Sequence, residues 1–158
     1  KIGRIDPDTL KVQEFDSPVR GPRRMRFNQQ DGTLWVTGYS EGRLARLTTN
    51  SNGFESKVYA LPEFAEGYGP APYALGVHPK TGDVWLNENM TDRFFRFIPE
   101  EERFAVYPAP LTGTYTRDFS FTKDGKACTS NNPLPMAALE GGIGEILCIE
   151  IMEELPST

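Results

Sequence analysis

Three turns, each followed three residues after its glycine by a large or unusual residue, mark the chain at intervals: Asp31-Gly32 leads to Trp35, Thr81-Gly82 to Trp85, and Asp124-Gly125 to Cys128. The steps from Trp35 to Trp85 and from Trp85 to Cys128 bracket a period of about 40 to 50 residues, the length of a repeat made of four short strands. Alternating apolar residues precede each turn (Met25 and Phe27, Leu75 and Val77, Phe119 and Phe121), as on an innermost strand. A second strand follows the turn as Leu34-Trp35-Val36, Val84-Trp85-Leu86 or Ala127-Cys128-Thr129, and a third reads Arg43-Leu44-Ala45-Arg46-Leu47 or Arg93-Phe94-Phe95-Arg96-Phe97. Fourth strands cover 11–15, 56–60 and 103–107, each stopping near a proline (Pro18, Pro62, Pro108) that cannot donate to a ladder.

This pattern predicts an all-β chain of β-propeller blades, about three and a half four-stranded antiparallel repeats in one partial domain, 1–158. Its parts are an outer half-blade (1–21), two blades (22–69 and 70–113) and an incomplete last blade (114–158). Propellers remove their exposed edges by closing into a ring, which so few blades cannot do alone. The expected partners are therefore the remaining blades, from the same longer chain or from a second copy. A chain opening on Lys1, in the middle of a blade, reads as a mature or truncated product.

Frequent glycine (15) and proline (13) agree with short strands and turns rather than long helices. The net charge of −5 argues against nucleic acid, which needs a clustered basic surface. No stretch approaches the roughly 18 apolar residues of a membrane span.

If the hairpin joining second and third strands is symmetric about its turn, Trp35 faces Arg46 and Trp85 faces Arg96, pairs suited to cation–π contact. In the last blade both partners change together, to Cys128 and Cys148. Directly opposite positions bring Cβ atoms within about 4.5 to 5.5 Å, close to what a disulfide requires. A Cys128–Cys148 disulfide is expected, with two buried thiols or a metal site as alternatives. A disulfide would place the protein in an oxidising compartment, periplasmic or secreted. Between the cysteines lies an insertion, 131–142, that could cover the mouth of the ring or pack as a surface loop.

The texts Ile2-Gly3-Arg4-Ile5-Asp6-Pro7 and Asp31-Gly32-Thr33-Leu34-Trp35-Val36-Thr37, with prolines opening the innermost strands, resemble the streptogramin B lyase (virginiamycin B lyase-like) propeller family over nearly the whole chain. The resemblance implies a ring of seven blades. It also implies Mg²⁺-dependent opening of a cyclic depsipeptide by elimination, with catalytic His and Glu at the inner mouth. The histidine would follow the proline that opens the innermost strand, where this chain has Arg23, Tyr73 and Arg117. The glutamate would stand three residues after the second-strand Trp, where Glu88 matches and Gly38 and Asn131 do not.

The strand-opening residues Arg23, Arg24, Tyr73 and Arg117, with Asn131 beside them, suit a small anionic ligand, because guanidinium presents planar paired donors. The alternative is that these arginines pair with Asp118 or Glu88 between blades. A Ca²⁺ site would need Glu88, Asn131 and Asp118 to converge. His78 is aligned with Asn28 and reads as a turn residue. The function expected is a periplasmic or secreted propeller binding a small anion or a protein at its inner mouth. The alternative is a lyase-like enzyme opening a cyclic ester or lactone with Mg²⁺ or Ca²⁺ and Glu88.

Overall fold

In a computed structural model, residues 1–131 and 144–151 are described; most of the insertion, 132–142, lies outside them. The repeated turn does the same work three times. Asn28 N–H donates to Thr33 O and Gly32 N–H to Asn28 O; His78 and Gly82 do likewise with Asp83 and His78; Thr122 and Gly125 do so with Lys126 and Thr122. Each loop closes through a glycine at positive φ (Gly32 72°, Gly82 74°, Gly125 95°), which a side chain would strain. That requirement is why the Gly signal recurs in the sequence.

The strands are β1 (Ile2–Ile5), β2 (Val12–Phe15), β3 (Pro22–Phe27), β4 (Leu34–Gly38), β5 (Arg43–Asn50), β6 (Gly53–Ala60), β7 (Pro72–Val77), β8 (Val84–Glu88), β9 (Arg93–Ile98), β10 (Arg103–Pro108), β11 (Phe119–Phe121), β12 (Ala127–Ser130) and β13 (Ile146–Ile149). They form the antiparallel sheets β1-β2, β3-β4-β5-β6, β7-β8-β9-β10 and β11-β12-β13, with no helix among the described residues. The fold is an all-β arc of propeller blades.

Blades stack face to face. Trp35, Leu44 and Leu61 of one blade pack against Leu75, Val84, Leu86, Phe95 and Phe97 of the next, while Trp85 and Phe94 pack against Phe119 and Ala127. Because both faces of a middle blade are covered, β8 is buried at every residue instead of alternating. At Gly76 the inner strands come so close that a Cβ would lie 2.8 Å from Phe119 Cβ. Polar links repeat at the same joints: Gln30 Nε2 donates to Pro79 O (2.9 Å) and Lys80 Nζ to Lys123 O (3.1 Å), each reaching the next blade's turn. Arg26 on β3 pairs at 2.6 Å with Asp118, the residue just before β11, linking the innermost strands of two blades that are not neighbours.

The hairpin register is the one expected, with Trp35 opposite Arg46, Trp85 opposite Arg96 and Cys128 opposite Cys148. Cys128 and Cys148 are disulfide-bonded. Arg46 lies over Trp35 at 5.7 Å and also pairs with Asp31. Arg96 departs from the expectation. Asp83, the residue just before the strand that carries Trp85, takes its guanidinium at 2.6 Å, and the Trp85 ring stacks on Tyr107 at 5.5 Å.

His78 serves its turn. Its Nδ1 accepts from Lys80 N–H and Thr81 N–H, so Nε2 carries the proton and donates to Gly125 O of the next blade at 3.2 Å. Asn28, at the equivalent place, accepts from Gln30 N–H in the same way. We therefore expect His78→Asn to keep the local turn and His78→Ala to lose it. The alanine variant should be the less stable by about 1 to 2 kcal/mol, compared by urea unfolding midpoints.

Candidate functional site

The innermost strands begin on one face of the arc, the mouth face, beside the β4–β5 and β8–β9 turns. Arg23, Tyr73 and Arg117 occupy one repeat position there, since two residues later Met25, Leu75 and Phe119 pair with the equivalent Val36, Leu86 and Thr129. In β3 and β7 the ladder shifts just after the opening proline, a bulge that re-aims the side chains. Second-strand side chains take up the freed backbone donors. Thr37 Oγ1 accepts from Arg24 N–H (3.0 Å) and Asn87 Oδ1 from Ala74 N–H (2.9 Å). Buried Asn87 also donates through Nδ2 to Arg117 O (2.7 Å), fixing the next blade's arginine against its own.

The result is a cluster. The guanidinium carbons of Arg23, Arg117 and Arg24 lie 4.3, 4.7 and 5.7 Å from the centroid of the Tyr73 ring. Tyr39 meets Tyr73 edge-on at 6.3 Å and lies under Arg23, while Arg117 sits 4.5 Å over Tyr115. Tyr115 holds φ 45°, a conformation uncommon outside glycine that concentrates at functional sites. Among the described residues no carboxylate pairs with Arg23, Arg24 or Arg117. The Arg23 guanidinium against its hydroxyl holds the Tyr73 phenol below the ordinary tyrosine value, over the opposing effect of desolvation, and the charges of Arg117, Arg23 and Arg24 add to this. Arg23 and Arg24 also line a cleft of about 200 Å³ with Lys1, Ile2 and Met25.

The acids named as alternative partners are engaged elsewhere. Asp118 pairs with Arg26. Glu88 is buried and caps the β8–β9 turn: one oxygen accepts from Met90 N–H (2.8 Å), the other from Thr91 N–H (2.7 Å) and the Thr91 hydroxyl. Thr91 Oγ1 in turn accepts from Arg93 Nε (2.7 Å). Burial lowers Arg93 from its usual value, with Glu88 opposing the shift. So Glu88, read from the sequence as a candidate catalytic carboxylate, has both oxygens committed to a turn. Glu88→Gln should turn an amide donor onto a backbone donor and destabilise the fold by about 1 to 3 kcal/mol, read as a lowered unfolding midpoint.

Asn131 follows β12 directly, its N–H donating to Glu145 O (2.7 Å) and its Oδ1 shielded without a partner among the described residues. Glu88, Asn131 and Asp118 form no shared donor set, and no group of three His, Cys, Asp or Glu suited to a metal occurs among the described residues. These residues do not fit the Mg²⁺ or Ca²⁺ considered from the sequence. Sequence reasoning missed Tyr39, Tyr115, Asn87 and Asn89. Tyr39 and Asn89 had a signal, since both follow the second strand at the same repeat position.

No family model and no curated protein sequence matches the chain. Solved structures do. Virginiamycin B lyase from Staphylococcus aureus superposes with a TM-score of 0.69 at 23% identity over 94% of this chain and 48% of its own. The fold is that of a virginiamycin B lyase-like propeller. A streptogramin B lyase structure agrees with this virginiamycin B lyase-like fold at TM-score 0.70 and 18% identity, over 91% of this chain and 46% of its own. An extracellular domain assigned to a one-component system of B. thetaiotaomicron matches at 0.63 and 17% identity, over 80% of this chain and 17% of its own. The chain thus spans about half the length of the lyase structures.

Proposed function

We propose that this propeller arc binds a small anionic ligand at its mouth face, held by Arg23, Arg117 and Arg24 around Tyr73. The observation that carries the reading is three guanidiniums gathered on one phenol with no carboxylate partner among the described residues. Such an arrangement is repulsive by itself and becomes favourable when an anion enters, because charge-assisted, paired hydrogen bonds are strong. Repetition supports it, since each blade delivers one cluster residue from the same strand position.

The disulfide and the extracellular-domain neighbour favour a periplasmic or secreted protein. We further infer that more blades complete the ring, from a longer chain or a second copy. Apolar Ile5, Val12 and Phe27 stand exposed at the first sheets, and the lyase structures are about twice as long. One neighbour is a catalytically inactive histidine-to-alanine virginiamycin B lyase solved with quinupristin. For lyase activity on a cyclic ester in the present protein, the support is this shared fold.

The test is a calorimetric titration of the chain with acetate and phosphate at low and high salt. Binding that weakens as salt rises is expected. Absence of binding at low salt would overturn the proposal.

A further inference from the structure

Beside the arginines lies a second set of groups that an anion alone would leave unmet. Thr116 Oγ1, Asn131 Oδ1 and both side-chain polar atoms of Asn89 are shielded from solvent and have no hydrogen-bond partner among the described residues; the same holds for Arg24 Nε within the cluster. All belong to the same strand ends. Thr116 directly precedes Arg117, whose N–H donates to Ser130 O (3.3 Å), next to Asn131. Asn89 N–H donates to Ala71 O (3.3 Å), two residues before Tyr73, and Asn89 occupies the repeat position from which Tyr39 reaches Arg23 and Tyr73. Buried polar groups are paired as a rule; Trp35 Nε1, Trp85 Nε1, Arg46 Nε and Thr129 Oγ1 are unpaired as well, and the orphans at the strand ends are the ones that a ligand at the mouth would meet.

The chemistry of the orphans narrows that ligand. The amide oxygens of Asn89 and Asn131 only accept, the Asn89 amide nitrogen only donates, and the Thr116 hydroxyl does both. Acetate and fully ionised phosphate are acceptors and satisfy none of the amide oxygens. Hydroxyl groups both donate and accept, and so can meet all of these atoms. Resting on the anion-binding reading above, we propose that the ligand is a polyhydroxylated carboxylate of the sugar-acid class, its carboxylate on Arg23 and Arg117 and its hydroxyls on Asn89, Thr116 and Asn131. Arg23 is exposed and, like Arg117, has no carboxylate anchor among the described residues. Neither is held by an ion pair among them, so each can turn onto the carboxylate.

Calorimetric titrations of the chain with D-gluconate, D-galacturonate, acetate and uncharged D-glucose test this. At least one sugar acid should bind tenfold or more tighter than acetate, with no measurable heat from glucose. Asn131→Ala and, separately, Asn89→Ala, each checked for unchanged circular dichroism, should cut the preference for the sugar acid over acetate to less than tenfold. Equal affinity for sugar acids and acetate overturns this inference and leaves the anion site standing. Failure of every anion to bind overturns the anion site itself, and a tenfold preference surviving both variants overturns the assignment of the hydroxyl contacts.

Discussion

Replacing Arg23 and Arg117 together with glutamine is expected to weaken anion binding at the mouth by about a hundredfold or more, since hydrogen bonds to charged groups contribute about 1.5 to 3 kcal/mol each and 1.4 kcal/mol is tenfold. Folding stability should hold or rise slightly. Neither arginine takes part in an ion pair among the described residues, and both stand within 5 Å of the same ring, where their charges repel. The Tyr73 phenol should move back toward its ordinary value, because the Arg23 guanidinium at its hydroxyl and the charges of Arg117 and Arg23 are gone, with Arg24 alone remaining. Arg103→Gln is the control: Arg103 pairs with Glu101 on an outer strand, and its loss should leave anion affinity unchanged. Calorimetry on the three proteins reads the outcome directly. Binding by the double variant equal to that of the parent chain would remove the arginines from the account.

Loss of the disulfide carries the largest expected stability effect. Among the described residues β13 pairs with β12 alone; Leu147 and Ile149 on it are only partly buried against the core, and Ile146 is 78% exposed, so the disulfide is a main tie on this edge. The bond between Cys128 and Cys148 closes a loop of sequence separation 20, for which chain entropy gives about 3 kcal/mol. Cys128→Ser with Cys148→Ser should lower the urea midpoint by the equivalent of that amount, and reductant should do the same to the parent chain while leaving the variant unchanged. A midpoint indifferent to reductant would contradict this role.

Much of the architecture was legible because strand pairing has a period that a sequence displays. The symmetric hairpin placed Trp35 on Arg46, and the equivalent strand positions, despite the insertion between them, placed Cys128 on Cys148; both pairings stand. Choices among neighbouring side chains were not legible in this way. Trp85 and Arg96 hold the predicted register, yet Asp83 takes the arginine, because an acid two residues before the tryptophan offers a charge where the ring offers only a quadrupole. Glu88 matched a motif position, but a carboxylate followed by Thr91 can close its own turn, and that local geometry does not show in spacing. The mouth arginines were visible as strand openers. Their gathering on Tyr73 depended on bulges after Pro22 and Pro72 and on the Asn87 bridge, which appear only once backbone donors are counted.

Anion binding at the mouth is tested most directly by an anomalous difference map from crystals of the chain soaked in bromide. The strongest ordered bromide is expected among the guanidiniums of Arg23, Arg24 and Arg117 beside Tyr73. Bromide ordered at other basic residues, with none at this cluster, would contradict it.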